Sequence, residues 1–489
     1  MTPAQGAVLE NVVGGALTAF PGLREGVTVQ VDGTDLVLGS DGRTTRLRGI
    51  PEALRSHLTG EALDVDEGVR RATERLFSRM GHLTTTRLRC DAHEVMRHES
   101  TTRSTSYEPA ALSDTDLLRL DRFALLRTRG DTLVLECPRS THRFVLTSDL
   151  TRTLAADLGT PRRVQDVVAD GACRDLAAEV LTHWVGAGLV ERARPDGTFA
   201  TDTDPELAQW DFHDLLMHNR SRSGRYDEPL GALSPYKGRI EPLPAVTPPR
   251  SDAAAVVDLP RPTASTGGLS LADALERRRS IRDYAEDPLT VDELAVFLHR
   301  SFRDRARFDP LPGDGQESKV SRPYPSGGGL YEHELYLTVR RCDGLSPGIY
   351  HYDALRHRLE LITSDEAHAR AMLAVAAAAT GHPASPDVLL TLTARFARMS
   401  WRYRSIAYAN VLRTTGAIYQ TMYLIATDLD LAPCALGNGD ADLAARVLGL
   451  DYLRESSVGD FILGRRDPRD VVEGEPMQGW TILDAPSAV

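Results

Sequence analysis

RPYPSGGGLYEHELYL, residues 322–337, is the stretch on which the reading of this chain turns. Pro323 and Pro325 stiffen its entry, because a pyrrolidine ring fixes φ. Ser326, Gly327, Gly328 and Gly329 then strip side-chain bulk from the loop. Consecutive glycines permit φ > 0 and a close approach of the backbone to a flat ligand. An alternating run follows. Leu335, Leu337 and Val339 point one way, Tyr336 and Thr338 the other, which predicts a strand with one buried face. A Gly-rich loop that feeds a core strand can present backbone N–H groups to a cofactor. The same composition also suits an ordinary surface turn.

Around that stretch the chain reads as a large domain with a helical entry. Ser270 is placed as an N-cap with Asp273 three residues on, and its helix runs into Arg277, Arg278, Arg279, Ser280 and Arg282. Such a run is ordinarily a solvated face; arginines at this density also suit a phosphate, which guanidinium groups bind in a bidentate, charge-assisted way. Thr290 and Glu293 form a capping box, with Leu289 and Leu294 as the staple. Strands are expected at 348–353, 359–362 and 387–393, and an apolar helix over 406–428 with Ile406, Leu412, Gly416, Ile418, Met422 and Ile425. A second Gly-containing loop, ALGNGD, holds Gly437 and Gly439. LGRR, at Leu463 to Arg466, closes the domain.

Working back toward the N-terminus, prolines at 242, 244, 248, 249, 260 and 262 exclude a helix or central strand and predict an extended linker. His213 and His218 lie five apart, a spacing that does not suit helical metal ligands, so a packing role is expected and no metal site. Residues 120–146 read as strands broken at Gly130-Asp131 and Pro138. Helices are expected at 149–158 and 174–185, the second with Leu176, Val180, Leu181 and Trp184 as its stripe. Residues 27–47 read as short hairpins turning at Asp32-Gly33 and Asp41-Gly42. A helix is expected over Val69 to Met80, ended by Gly81. Strands followed by helices, twice over, predict two small winged-helix-like modules at 1–112 and 113–200, then a connecting segment and linker at 201–262 and the large domain at 263–489.

Composition limits the function. The net charge of −12, and the lack of a dense Lys/Arg stripe over 113–200, argue against nucleic acid as a partner. Protein or peptide binding fits the N-terminal half better, because an exposed strand edge accepts an extended peptide. No apolar run approaches the ~20 residues that a membrane-spanning helix needs. The N-terminus makes a poor signal peptide. Five cysteines, none spaced Cys-x-x-Cys, fit a reducing cytoplasm rather than a disulfide framework.

The pieces of the C-terminal half resemble, in order, the flavin-dependent nitroreductase superfamily, and more narrowly its SagB-type dehydrogenases. The matching segments are RRRSIRDY at 277–284, RPYPSGGGLYEHELYL at 322–337, GIYHYD at 348–353, TARFARMSWRYRSIAYANVLRTTGAIYQTMYL at 393–424 and APCALGN at 432–438. HDLLMHNRSRSGR, at 213–225, is similar to a segment that precedes the domain in these enzymes. The resemblance covers about half the chain and is specific because separated motifs agree. The N-terminal half is similar only in layout to the peptide-recognition modules of some relatives.

The resemblance implies an α+β fold, a central antiparallel-rich sheet flanked by helices, with FMN bound at a homodimer interface. It implies oxidation of thiazolines or oxazolines to azoles in a ribosomally made precursor peptide, read by its leader, with a cyclodehydratase as partner. Arg278, Arg279, Ser280 and Arg282 would hold the FMN phosphate and ribityl chain, and Arg465 or Arg466 would reach the phosphate from the C-terminal end. Pro325, Ser326, Gly327 and Gly328 would lie against the ring, and Leu436 and Gly437 near its reactive edge. Relatives place a Lys-Tyr pair where this chain has Arg402-Tyr403. Arginine stays protonated, so Tyr403 is expected to be the base, assisted by Arg402; the alternative is that Trp401 and Tyr403 merely pack at a helix start. Tyr324, Tyr331 and Tyr408 are candidates for the substrate pocket or for aromatic packing. Two other functions remain open: an NAD(P)H-dependent flavin oxidoreductase acting on a small molecule, and a non-catalytic peptide-binding component.

Overall fold

The computed structural model describes residues 16–40, 43–59, 66–77, 79–102, 106–167, 173–262, 268–310, 316–381 and 385–469. The expected Asp41-Gly42 turn and the first 15 of the N-terminal residues read for a signal peptide lie outside them. The chain divides into two units between Leu230 and Gly231, rather than at 112, 200 and 262.

The second unit is built on a seven-stranded antiparallel sheet. Its order is Ala255–Asp258, Arg358–Thr363, Gly348–Asp353, His333–Val339, Val388–Arg395, Glu455–Arg465 and Leu431–Leu436. The strand fed by the Gly-rich loop is thus central, and all its residues are buried, which corrects the expectation of one buried face. Leu335, Leu337 and Val339 pack with the helices Val291–Phe302 and Ala407–Asp428, while Tyr336 packs with the helices Glu366–Thr380 and Ala441–Leu448 on the other side. Tyr336 looked solvent-facing because it is polar, but its hydroxyl is satisfied by Glu455 Oε1 at 3.2 Å.

The local signals at the start of this unit hold. Ser270 Oγ accepts from Asp273 N at 3.1 Å and caps Leu271–Arg277. Thr290 and Glu293 close a reciprocal capping box, and Leu289 and Leu294 are fully buried above it. The long helix spans Ala407–Asp428, but Leu412 and Gly416 lie on its exposed side. Val411, Thr414, Thr415, Ile418 and Met422 face inward instead. The threonines qualify because their hydroxyls bond within the turn or to buried partners, as Thr415 does to Val411 O and His333.

The expected linker is corrected. Ala255–Asp258 is an edge strand of the sheet, a position that needs pairing on one side only and tolerates flanking prolines. Residues before it are held by buried arginines: Arg395 donates to Pro244 O and Ala245 O, and Arg398 to Leu243 O. Gly231–Ala232 pairs with Tyr403–Arg404. These contacts put the boundary at 230 rather than 262.

In the first unit the segments 1–112 and 113–200 are not separate in space. One antiparallel sheet runs through Thr18–Leu23, Thr84–Cys90, His93–Ser100, His142–Leu146, Thr132–Glu136 and Leu125–Arg129. Leu88 and Met96 share a core with Phe123, Leu135, Phe144 and Trp184. Hairpin strands form at Thr28–Asp32, Asp35–Ser40 and Arg43–Leu47, and helices at Asp149–Asp157 and Arg174–Gly186, close to the expected bounds. The early helix is Glu67–Phe77. Gly81 does not end it but opens a short 3-10 turn, where an added Cβ would stand 3.0 Å from Thr102 O. The end of the unit is tied in by charge: Asp227 accepts from Arg143 Nη1 at 2.8 Å and Nη2 at 3.0 Å. Arg143 is 2% exposed and also meets Glu99, so its buried charge is paired on two sides.

Candidate functional site

The Gly-rich loop is shaped by its own serine. Ser326 Oγ donates to Glu332 Oε2 at 2.9 Å and accepts from Tyr331 N at 3.0 Å. Between them Gly328 and Gly329 take φ of 63° and 67°, and Tyr331 follows at 48°. The glycines are also required by their neighbours. A Cβ on Gly327 would lie 2.8 Å from Met399 Cε, and one on Gly328 2.5 Å from the Tyr403 hydroxyl. The loop and Tyr403 are therefore in contact.

Arg402 and Tyr403 follow a five-residue helix, Phe396–Ser400, so they sit just past a helix end rather than at a helix start. Arg402 O accepts from Leu233 N and Ser234 N, which fixes the backbone beside Tyr403. Trp401 is buried and donates to Ile240 O at 2.6 Å, a packing role. The Arg402 guanidinium meets Glu317 Oε2 at 3.0 Å. Glu317 went unnoticed in the sequence, where GDGQES carries no periodicity that would single out one acid.

The three candidate pocket tyrosines separate. Tyr324 is 2% exposed, packs in the main core against Phe302 and Tyr331, and accepts from Arg322 Nη1 at 3.1 Å. It is a core residue and does not line an open pocket, because the buried Arg322 holds its hydroxyl inside. Tyr331 is half-buried on top of it. Tyr408 is 50% exposed in the first turn of the long helix, its ring 6.1 Å from Phe396.

The arginine cluster is organised by a residue that the sequence reading did not single out, Tyr423. Its hydroxyl accepts from Ala435 N at 2.8 Å and meets Ser280 Oγ at 2.7 Å, and the Arg278 guanidinium lies 5.2 Å from its ring centre. Ile281 N donates to Pro433 O at 2.8 Å. The structure thus brings Arg278, Ser280 and Ala435, next to Leu436 at the strand end, together around one phenol. Arg278 and Arg282 make no salt bridge with a described carboxylate, and Ser280 and Arg282 are exposed. Arg279 is partly buried beside them. Arg465 and Arg466 differ: they pair with Glu293 and Asp430, each at 2.8 Å, so the structure places both in ion pairs.

Both clusters border the long helix. Asn410 and Thr414 stand at the Gly-rich loop and Tyr423 at the arginines, 13 residues and about 20 Å of helix apart. Beneath the second glycine loop Asp460 is buried against Gly439 and accepts from Thr391 Oγ1 at 2.7 Å. Burial pushes its carboxyl up to about 6, against the hydrogen bond from Thr391. Burial also raises the Glu332 carboxyl, over the opposing bonds from its own backbone, Ser326 and Thr414.

In the first unit His213 is exposed beside Asp214, and His218 stacks near Trp210 at 5.9 Å, a packing contact. Among the described residues no group of three or more His, Cys, Asp or Glu is arranged to hold a metal ion, and no helix is long and apolar enough to cross a membrane.

Two family models match the chain. Residues 275–465 match the nitroreductase family, and residues 118–227 match the cyanobactin oxidase ThcOx. The chain is 29% identical over 169 residues to MJ1384 of Methanocaldococcus jannaschii, a protein assigned to the nitroreductases, covering 35% of this chain and 79% of that one. It is 27% identical over 182 residues to the trifolitoxin-processing protein TfxB of Rhizobium leguminosarum bv. trifolii, covering 37% and 48%. It is 27% identical over 146 residues to the microcin B17-processing protein McbC of Escherichia coli, covering 29% and 52%. The chain thus spans about half the length of the two processing proteins. The second unit has the nitroreductase-like α+β fold, and the region before it is rich in sheet.

Proposed function

We propose that this chain is an FMN-dependent dehydrogenase that oxidises thiazoline or oxazoline rings to azoles in a ribosomally made precursor peptide. The observation that carries the reading is the joining, in one chain, of a nitroreductase domain to a segment that matches a cyanobactin oxidase. The likeness to two peptide-processing proteins supports it.

The residues present suit FMN. Arg278 and Arg282, without carboxylate partners among the described residues, would take the phosphate, with Arg279 and Ser280 beside them. Pro325, Ser326, Gly327 and Gly328 would lie against a flat ring, and Gly329 and Gly437 have open space where a Cβ would be. When bound, the flavin supplies a two-electron acceptor for a hydride from the substrate ring. This chain's residues must then orient the peptide and move a proton. Tyr403, which meets the Gly-rich loop, would lie beside that ring, and Arg402 would place a fixed positive charge next to it. Arg465 and Arg466 would support the site only indirectly, through their ion pairs. The residues before 231 would recruit the peptide and raise its local concentration at the domain that follows. A second copy of the chain and a cyclodehydratase are the expected partners.

The test is mass spectrometry of an azoline-bearing precursor peptide incubated aerobically with the protein and FMN. A loss of two hydrogens per ring, absent in Tyr403→Phe, is expected. Flavin that bleaches rapidly with NAD(P)H while the peptide stays unchanged would instead favour small-molecule reduction, the reading to which the match with MJ1384 points.

A further inference from the structure

Ring oxidation requires a group that accepts the proton from the carbon beside the peptide carbonyl. Arg402, which stands where the similar dehydrogenases carry lysine, has no lone pair with which to do so. The structure brings a carboxylate to it. Glu317 Oε2 lies 3.0 Å from Arg402 Nη1, and the Glu317 side chain is 7% exposed. Its other oxygen, Oε1, is buried and has no hydrogen-bond partner among the described residues.

A buried, unbonded carboxylate oxygen costs free energy and leaves a lone pair to accept a proton. The backbone that follows Glu317 is held in place. Ser318 O accepts from Arg398 Nη2 at 2.7 Å, and Ser318 Oγ accepts from Ala245 N at 2.9 Å. Lys319–Ser321 then pairs with Ala306–Phe308. On the facing side, Arg402 is anchored through its carbonyl, and the next residue, Tyr403, reaches Gly328. The acid therefore stands at the arginine that precedes, in sequence, the tyrosine against the Gly-rich loop.

We propose that Glu317, in place of the Tyr403 expected from the sequence, is the proton acceptor, with Arg402 as the residue that positions it and Tyr403, against the Gly-rich loop, orienting the peptide. This rests on the azoline dehydrogenase reading. The free carboxylate oxygen takes the proton from the α-carbon. The electron pair of that C–H bond becomes the new ring double bond as the neighbouring carbon gives up a hydride to the two-electron acceptor. The proton later passes to solvent. Arg402 stabilises the negative charge that develops on the carbonyl oxygen. Lysine in the similar enzymes would do both jobs with one side chain; here an acid and an arginine divide them.

The experiment compares wild type, Glu317→Gln, Glu317→Asp and the double variant Glu317→Gln/Arg402→Lys. The first readout needs no flavin: deuterium uptake at the α-carbon of an azoline peptide incubated in D2O with the flavin-free protein. Wild type is expected to exchange and Glu317→Gln to stay at background. With FMN added, Glu317→Gln is expected to lose roughly 100- to 10,000-fold in turnover and the acidic limb of its pH profile. Glu317→Asp should keep part of both. The double variant should regain turnover, because lysine can accept a proton. Glu317→Gln that exchanges and oxidises like wild type overturns the proposal. So does a variant that turns over slowly but keeps both the exchange and the acidic limb, which would leave Glu317 a structural role. If Glu317→Gln does not fold, wild-type-like turnover in Glu317→Asp with an unmoved acidic limb is the overturning result. A wild type that neither exchanges nor oxidises the peptide removes the dehydrogenase reading and this inference with it.

Discussion

Single residues in the second unit carry two separable demands, shape at the Gly-rich loop and charge at the arginines. Gly328 has φ of 63° and the Tyr403 hydroxyl where a Cβ would be. Gly328→Ala therefore meets a backbone cost of roughly 1–2 kcal/mol and displaces Tyr403 as well. Its ring-oxidation rate is expected to fall far more than its Tm, measured on the same preparation; equal rates would separate Tyr403 from the chemistry. Arg278 has no competing carboxylate among the described residues, so Arg278→Ala is expected to weaken FMN binding about tenfold or more, read by flavin fluorescence. Arg466→Ala, which breaks an ion pair with Asp430, should change that affinity much less. The glycines and the arginine cluster were legible in the sequence because each is a dense local pattern. Glu317 and Tyr423 were not, because each acts on residues more than eighty positions away in sequence or at the far end of a helix.

At the scale of elements, capping chemistry survived intact from sequence to structure. Thr290 Oγ1 accepts from Glu293 N at 3.2 Å and Glu293 Oε2 accepts from Thr290 N at 2.8 Å. The same glutamate also holds Arg465, whose strand ends beside it. Thr290→Ala should cost about 1 kcal/mol, seen as a lower midpoint in urea, while flavin affinity stays close to wild type. Cap signals read well because donor and acceptor lie within four residues of each other. Faces read less well. The inward side of Ala407–Asp428 carries threonines and the outward side a leucine, which reverses a hydropathy reading. The central strand was misjudged for the same reason, since its polar residues are buried with partners from other strands.

At the scale of each whole unit, buried histidines include groups that respond to pH in opposite directions. In the first unit His98 Nε2 lies 2.9 Å from His142 Nδ1, and Tyr107 bonds His183 at 2.8 Å. Burial, with the neighbouring rings and Arg24, pulls His98 down to about 3 against Glu99; burial pulls His142 down to about 4. Unfolded histidine titrates near 6.5, so these neutral rings favour the fold above that pH. Their contribution is lost as pH falls from about 6.5 toward 4, on the order of 1 kcal/mol per pH unit for each ring. In the second unit burial opposes the charge on His351, but bonds to Glu334 and Glu360 outweigh it and raise its pKa to about 9. That contribution is complete below 6.5 and is lost as pH rises through 9. Wild-type Tm should therefore fall on both sides, and His351→Gln should remove the loss on the alkaline side only. An unchanged alkaline limb in that variant would assign the loss to other groups.

By itself, the sequence determined the local structure and the chemical inventory of this protein. It carried the caps, the hairpin turns, the order of the motifs from 277 to 466, and the likeness to flavin dehydrogenases, all written in residues close together along the chain. Only the tertiary structure decided where the chain divides, because the boundary depends on which sheet the proline-flanked strand Ala255–Asp258 joins and which arginine holds Asp227. Only it showed that residues before and after 112 share one sheet, since strand partners are chosen by long-range pairing. It also decided which arginines are already paired and which acid meets Arg402. Ion pairs form between side chains that folding brings together, and spacing along a sequence carries no record of them.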